Sequence, residues 1–296
     1  MILVTGAAGK TGKAVTKALA ARGAPVRALT RRPDLAPSLM ALGAAEVVIG
    51  SFEDAGALVR ATRDAHAVYH ICPNVSRDEV VFARAVATAA LAQGVKRFVF
   101  HSVLHPQIEA MPHHWQKMRA EEMLLGAGFD LTILQPTAYM QNIVTAWRGI
   151  VADGVFRVPY SVMTRLSLVD LDDVAAAAAV VLTENGHGGA TYELVGTSPL
   201  NQCEVAAAIG VALGGSVRAE PETIEAWDAR ARGDGMADYE RATLSAMFQH
   251  YGRHGLAGNP NTLRWLLGRT PTDLAGFLRR VIAETETARA GRLGPV

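Results

Sequence analysis

Near its amino terminus the chain reads Val4-Thr5-Gly6-Ala7-Ala8-Gly9-Lys10-Thr11-Gly12. This G-x-x-G-x-x-G spacing joins a short apolar run (residues 2–5), which predicts a strand, to a segment that predicts a helix (residues 13–22). In such a turn one glycine permits the tight bend, one lets backbone N–H groups approach a pyrophosphate, and one lets the helix pack closely on the sheet. The phosphates then lie at the positive end of the helix. The stretch therefore predicts a dinucleotide site with contacts from Gly6, Ala8, Gly9, Lys10, Thr11 and Gly12.

Two other interpretations of this stretch compete with a dinucleotide site. Gly9-Lys10-Thr11 resembles the end of a Walker A loop, but that loop needs a glycine five residues earlier, where this chain has Val4. A glycine turn that binds nothing is the plainer alternative, and three glycines at this spacing argue against it. We therefore favour the dinucleotide turn.

The first half of the chain alternates between apolar runs and helical patterns. Strands are predicted at residues 2–5, 26–30, 46–49, 68–71, 97–100 and 131–134, with helices between them. In the helix at residues 78–93, the pattern predicts that Val81, Ala85, Thr88 and Ala89 form the apolar face. Such alternation is typical of an α/β fold with a doubly wound parallel sheet, and right-handed crossovers favour the strand order 3-2-1-4-5-6.

The pattern changes after Pro136, where a helix is predicted at residues 138–149 and mostly helices thereafter. We therefore predict a Rossmann domain at residues 1–150 and a smaller, mostly helical substrate lobe at residues 151–296. Residues 172–194 look like one further helix–strand unit, so residues 172–195 are expected to pack back on the first domain. Residues 291–296 are expected to form a loose tail.

Composition narrows the class of protein. The chain has 296 residues, of which 50% are hydrophobic and 19% charged, and its formal net charge is +1. These values exclude a disordered chain and do not favour a nucleic-acid or membrane partner. The two cysteines, Cys72 and Cys203, are too few for a disulfide scaffold or a cysteine-rich metal site, and no metal site is predicted. We expect a cytoplasmic protein with a small-molecule substrate, and consider a homodimer as its assembly.

The residue that follows the second strand bears on the choice of cofactor. NAD-binding turns place an acid about 20 positions after the glycines, where it binds the ribose 2′-hydroxyl. Here Arg31 stands 19 residues after Gly12, with Arg32 beside it. A guanidinium pairs with a 2′-phosphate and an acid repels it, so NADP(H) is the predicted cofactor. The alternative is a solvated surface pair of arginines.

Taken together, these motifs resemble the NmrA-like branch of the atypical short-chain dehydrogenase/reductases. The glycine turn and Arg31 match that family, as does the segment Pro136-Thr137-Ala138-Tyr139-Met140-Gln141-Asn142 and, later, Gly268-Arg269. The resemblance implies NADPH-dependent reduction of quinones or triphenylmethane dyes, or else a protein that senses NADP(H) without catalysis. It also implies cofactor contacts from Ser51, Phe52, Cys72, Pro73, Lys117, Pro136 and Tyr139, although Ser51 replaces the acid that the family usually has.

The catalytic candidates follow from the superfamily's Tyr-x-x-x-Lys pair. Here the matching stretch gives His113-x-x-x-Lys117. Lys117 is predicted to anchor the cofactor ribose, and the alternative is an ordinary surface lysine. His113 is either a proton donor or a spectator in the substrate pocket, and a zinc site with His101, His105 and His114 is disfavoured. Ser102 follows the fifth strand and could polarise a carbonyl, although a plain strand-end serine is equally consistent.

Two hypotheses follow. In the first, the protein is an NADPH-dependent reductase whose hydride goes to a small, apolar acceptor of the quinone, dye or carbonyl type. Tyr139, Met140, Trp147 and Phe248 are candidates for the apolar wall of the acceptor site. In the second, it is a non-catalytic sensor of NADP(H), as the missing tyrosine would allow. We favour the enzyme, because reducing a quinone demands less of a protein acid than reducing a ketone.

Overall fold

The computed structural model describes residues 1–290, with the backbone alone for residues 287–290, so the predicted tail lies outside the described residues. The chain divides into two compact units. The first unit comprises Met1–Pro136, Leu171–Leu194 and Thr262–Arg269. The second comprises Thr137–Asp170, Val195–Asn261 and the described part of Thr270–Val296.

A seven-stranded sheet forms the centre of the first unit. The strand order is β10-β6-β5-β4-β1-β2-β3, and every neighbouring pair is parallel. The predicted order of the first six strands is confirmed, and the helix–strand unit predicted at residues 172–194 supplies the seventh strand. The strands are β1 (Ile2–Val4), β2 (Val26–Thr30), β3 (Ala44–Ile49), β4 (Ala67–His70), β5 (Arg97–His101), β6 (Asp130–Pro136) and β10 (Thr191–Leu194).

Helices connect these strands, as parallel pairing requires. Helix α1 packs against α8, while α4 packs against α3 and α5. A core that includes Phe98 and Phe100 of β5 joins side chains of α3, α4 and α5. The helices of this unit are α1 (Lys10–Ala21), α2 (Ala36–Ala41), α3 (Ala55–Thr62), α4 (Glu79–Ala92), α5 (Pro112–Leu125), α8 (Leu171–Thr183) and most of α12 (Asn261–Leu267).

The buried face of α4 differs from the predicted one. Val81 is exposed, whereas the buried positions are Glu79, Ala83, Val86, Ala87, Ala89 and Ala90. Alanine is tolerated on either face of a helix, so an alanine-rich segment does not define its apolar side well. The difference matters because the buried face of α4 includes the acid Glu79.

The second unit combines short strands with helices. Its two small parallel pairs are β7 with β9 and β8 with β11. Its elements are β7 (Ala138–Tyr139), α6 (Gln141–Thr145), α7 (Trp147–Asp153), β8 (Val155–Val158), β9 (Leu168–Val169), α9 (Gln202–Leu213), β11 (Arg218–Pro221), α10 (Ile224–Gly233), α11 (Asp238–His254) and α13 (Leu274–Ala290).

The helix predicted at residues 138–149 is wrong in its first part. Ala138 and Tyr139 pair with β9, and the Met140 N–H donates to the Val169 carbonyl at 2.9 Å, so the chain is extended before α6 begins. Met140 and Trp147, proposed for a substrate wall, are buried in the core of this unit. Among the described residues no helix is long and apolar enough to cross a lipid bilayer.

Candidate functional site

The glycine turn (residues 4–12) is packed so tightly that it has no room for a side chain at Gly6 or Gly12. Gly6 has a φ of +57°, and a Cβ there would lie 2.7 Å from the Ile71 carbonyl oxygen. A Cβ at Gly12 would lie 2.4 Å from the Gly6 carbonyl oxygen, so α1 packs directly on the turn. Gly6 and Gly12 thus serve the bend and the close packing that the sequence predicted.

The start of α1 offers donors without a protein cap. Gly9 is the N-cap residue and supplies no side-chain cap. The first N–H groups of a helix have no acceptor within it, and the helix dipole adds positive potential there. Gly9 and Lys10 are exposed, whereas Thr11 is buried. The turn therefore has uncapped N–H donors and a positive charge at exposed positions, which suit a diphosphate.

The two arginines after β2 differ in their partners. Arg32 forms an ion pair with Asp34, with Nη2 2.6 Å from Oδ2. Arg31 is exposed, and the described part of the chain gives it no ion pair. A hydrogen bond from Ser51 lowers the pKa of the nearby Glu53, with a smaller effect from the charge of Arg31. Arg31 is thus the arginine available to an added phosphate.

Three further candidates lie beside the sheet. Phe52 is half-buried and makes edge contact with the ring of His70 at 5.5 Å between centroids. Cys72 is buried, and burial together with the charge of Glu79 raises the pKa of its thiol. Pro73 is exposed in the loop that follows. Cys72 is therefore a neutral thiol near pH 7.

Lys117 lies inside the first unit, with 3% of its surface exposed. Its Nζ donates to Glu79 Oε1 at 2.8 Å and to the His101 carbonyl at 2.9 Å, and lies 5.1 Å from the centre of the Phe100 ring. Glu79 was not predicted from the sequence. It could have been found as the one charged residue among the positions 79, 83, 86 and 90, which helical spacing puts on one face.

The histidines around Lys117 are neutral near pH 7. Burial, reinforced by the charge of Lys117, lowers the pKa of His70 and of His101 to about 3. The same causes place the pKa of His113 well below its ordinary value. The Nδ1 atom of His113 is buried and has no hydrogen-bond partner among the described residues. We call Lys117, Glu79, His70, Cys72, His101 and His113 the Lys117 cluster.

Ser102 is buried at the end of β5, where its hydroxyl donates to Glu121. Gln135 also donates to both oxygens of Glu121, at 2.9 and 3.1 Å. Burial raises the pKa of Glu121, while the two donors act in the opposite direction. Neither Glu121 nor Gln135 was predicted from the sequence. The hydroxyl hydrogen of Ser102 is therefore donated to an acceptor within the protein, the carboxylate of Glu121.

The first unit brings most of its candidates to one edge of the sheet. Gly6, Cys72 and Ser102 follow the carboxyl ends of β1, β4 and β5, and Pro136 ends β6. Arg31 follows the end of β2 on the same edge. Ligands of doubly wound sheets bind outside this edge.

Tyr139 belongs to the second unit and is half-buried. In its segment, Gln141 Nε2 donates to Asp170 Oδ1 at 2.7 Å. Arg280 also donates to both oxygens of this buried acid, at 2.8 and 2.7 Å. The Tyr139 segment is therefore fixed by a buried carboxylate that the sequence analysis did not single out.

The late Gly268-Arg269 motif has a structural role in the first unit. Gly268 has a φ of +65° after α12. Arg269 Nη2 lies 2.6 Å from Oδ1 of Asp173, a buried acid in the first turn of α8. The motif thus ties α12 to the start of α8.

A doubly wound parallel sheet with a glycine turn before its first helix defines a protein of the Rossmann class. The chain belongs to the NmrA-like family, whose sequence profile matches residues 1–281. It is 35% identical to a (4-alkanoyl-5-oxo-2,5-dihydrofuran-3-yl)methyl phosphate reductase of Streptomyces griseus, over 84% of this chain and 85% of that one. It is 29% identical to an NAD(P)H azoreductase of Xenophilus azovorans, over 94% and 97%.

Solved structures give the same grouping. The NADPH-dependent quinone oxidoreductase of Escherichia coli, complexed with NADPH, superposes with a TM-score of 0.84 at 27% identity. The match covers 95% of this chain and 100% of that one. The family that the sequence motifs indicated is thereby confirmed.

Proposed function

We propose that this protein is an NADPH-dependent reductase that transfers hydride to a small, apolar acceptor of the quinone, dye or carbonyl type. The observation that carries the proposal is the glycine turn, where Cβ atoms at Gly6 and Gly12 would collide with backbone and where α1 begins without a side-chain cap. Family relatives that are named reductases support the same activity.

The proposed cofactor contacts follow from this turn. Backbone N–H groups of Ala8, Lys10 and Thr11 bind the diphosphate, and Lys10 adds positive charge. The Gly9 N–H donates to the Gly6 carbonyl at 3.0 Å, so Gly9 contributes by letting the phosphates approach the backbone. Arg31 binds the 2′-phosphate, because Arg32 is occupied by Asp34. When bound, NADPH supplies the hydride. Further contacts are proposed for Gly6, Gly12, Ser51, Phe52, Cys72, Pro73, Lys117, Pro136 and Tyr139.

The chemistry proposed for the protein's own residues is modest. Lys117 supplies a fixed positive charge close to the carboxyl end of β5. His113 is neutral near pH 7 because its pKa is low, so it acts through a neutral ring and not as an imidazolium acid. Ser102 can accept a hydrogen bond, since its own proton goes to Glu121. Neither His113 nor Ser102 is then a strong proton donor. Such a site is suited to quinones and dyes, whose reduced forms are weak bases.

The test combines binding with turnover. Calorimetry with NADPH and NADH measures affinity, and NADPH absorbance is followed with quinones, azo and triphenylmethane dyes and aryl ketones. We expect tight NADPH binding and turnover with at least one quinone or dye. Binding without turnover on the whole panel would favour the NADP(H) sensor, and no binding of either nucleotide would exclude both functions. Light scattering of the same sample measures whether the protein is a homodimer.

A further inference from the structure

Within the described part of the chain, a single acid is hydrogen-bonded to the ammonium of Lys117. Two of its three ammonium hydrogens have acceptors, namely Glu79 Oε1 and the carbonyl of His101. Of these only Glu79 carries a negative charge, and its side chain is fully buried. An ammonium without such a partner would lose its proton readily at a buried position, because desolvation disfavours the charged form.

The location of Glu79 suits an anion. It is the first residue of α4, where the helix dipole stabilises negative charge. It also lies on the same face as Ala83 and Val86, so the fold directs the carboxylate inward. The sequence separation of 38 residues shows that the fold, and not local spacing, brings the acid to the lysine.

The ion pair is incompletely satisfied. Oε2 of Glu79 is buried and has no hydrogen-bond partner among the described residues. A buried ion pair stabilises a fold only when further hydrogen bonds occupy its remaining lone pairs. Retaining such a costly pair at the ligand-binding edge of the sheet is typical of functional groups.

The other groups around Lys117 do not replace Glu79. The depressed pKa values of His70, His101 and His113 keep these rings neutral, and the raised pKa of Cys72 keeps the thiol protonated. Glu121 faces Lys117 from α5, but its hydrogen-bond donors are Ser102 and Gln135, and burial raises its pKa. The Nδ1–H group of His114 donates to the His105 carbonyl oxygen at 3.2 Å.

We propose that Glu79 is the positioning residue of Lys117, keeping the ammonium charged and fixed at the carboxyl end of β5 so that the ion pair acts as one unit. The proposal rests on the proposed function for its consequence, because the unit is useful only if Lys117 serves the cofactor or the acceptor. Without Glu79, no acid among the described residues is left within hydrogen-bonding distance of Nζ, and the charged form of the buried lysine is expected to be less stable.

The first experiment observes Lys117 directly. The chain has only five lysines (Lys10, Lys13, Lys17, Lys96 and Lys117), so ¹³C-lysine labelling gives five side-chain signals. Loss of one signal in Lys117→Arg assigns it. In Glu79→Gln, we expect the midpoint of the Lys117 titration at a pH lower by about one unit or more than in the unsubstituted protein. The matched control is Asp78→Asn, which removes the adjacent, exposed acid and should leave the midpoint in place.

An unchanged Lys117 midpoint in Glu79→Gln would overturn the proposal. Should that variant fail to fold, Glu79→Asp retains the charge and shortens the reach. It is then expected to lower the midpoint of the Lys117 titration by a smaller amount, because a longer ion pair stabilises the buried ammonium less. A Lys117 signal in Glu79→Asp identical to that of the unsubstituted protein would equally refute the role.

The second experiment separates positioning from a merely structural pair. NADPH affinity and the kcat and KM of the most active acceptor are measured from pH 6 to 9. In Glu79→Gln we expect a new pH dependence with the midpoint found by NMR, and near-normal behaviour in Glu79→Asp. A shifted Lys117 midpoint with unchanged pH profiles would reduce Glu79 to a structural role. If the unsubstituted protein binds no NADPH, the proposed function fails while the NMR result still tests the ion pair.

Discussion

The glycine turn and the Lys117 cluster lie at the same edge of the sheet, but their polar groups differ in exposure and in hydrogen bonding. At the turn, the N–H groups that open α1 have no side-chain cap, and Arg31 is exposed without an ion pair among the described residues. In the cluster, Lys117 and Glu79 are buried and bonded to each other. The polar groups of the glycine turn are therefore available to a ligand, whereas those of the Lys117 cluster bind each other within the protein.

The two regions therefore differ in what their charges contribute, namely ligand affinity at the turn and fold stability in the cluster. Charges exposed at the turn cost little to the fold and are useful in binding. A buried pair costs desolvation, which only an intact partnership offsets. Substitutions at the turn should therefore reduce affinity, and substitutions in the cluster should reduce stability first.

The largest effect is expected for Lys117→Met. Removing the ammonium leaves the carboxylate of Glu79 buried without a counter-charge, and breaking such a pair costs about 3–5 kcal/mol. Urea unfolding should show this loss. The double variant Glu79→Gln/Lys117→Met removes both charges and should recover most of the stability, without recovering turnover. If the single variant is as stable as the unsubstituted protein, the cluster is not held by this pair.

The next effect concerns binding alone. Arg31→Gln should lose about 1.5–3 kcal/mol of NADPH affinity, the range for hydrogen bonds to charged groups, or about tenfold to a hundredfold in Kd. NADH affinity and urea stability should not change. Arg32→Gln is the matched control, because it removes the same charge from the arginine that Asp34 occupies. Equal losses for both nucleotides would remove Arg31 from the 2′-phosphate.

A methyl group at Gly12 tests how tightly the turn is built. Helix propensity favours alanine over glycine by about 1 kcal/mol. The added Cβ would lie 2.4 Å from the Gly6 carbonyl oxygen, and overpacking of this kind costs about 1–3 kcal/mol, so Gly12→Ala should destabilise the fold and weaken NADPH binding. Gly149→Ala in α7 meets no atom within 4 Å and should be neutral or stabilising in urea unfolding. A Gly12→Ala protein that unfolds like this control would show that the turn has room for a side chain.

The sheet could be predicted from the sequence because its signals are local. Apolar runs of strand length alternate with helical patterns, and right-handed crossovers then favour the observed order of β1 to β6. The turn is equally local, since its three glycines stand within seven residues. The position of Arg31 could be predicted from its sequence distance to Gly12. That Asp34 pairs with Arg32 and not with Arg31 could not be predicted.

The Lys117 cluster could not be predicted in the same way, because its partners come from separate elements. Glu79 begins α4 and Lys117 lies on α5, and an acid in a first helical turn is ordinarily a surface residue. The alanine-rich sequence of α4 also hid which face is buried. Ala138 and Tyr139 were predicted as helix for a related reason, since their strand forms only by pairing with Val169 and its neighbour.

The smallest expected effect of a single substitution is a change in how the free energy of unfolding depends on pH. It concerns only the Lys117 cluster, because the glycine turn has no histidine. Burial lowers the pKa of His101 to about 3, whereas an unfolded histidine titrates near 6.5. Between these values the unfolded chain binds more protons, so His101 weakens the fold as the pH falls below 6.5 and has no such effect above it. Each such histidine contributes about 1.4 kcal/mol per pH unit in that window. Urea unfolding at pH 5–7 should therefore show a shallower pH dependence for His101→Gln than for the exposed control His254→Gln. Identical slopes in the two variants would mean that His101 is protonated within the fold, and that the interior around Lys117 tolerates a second positive charge.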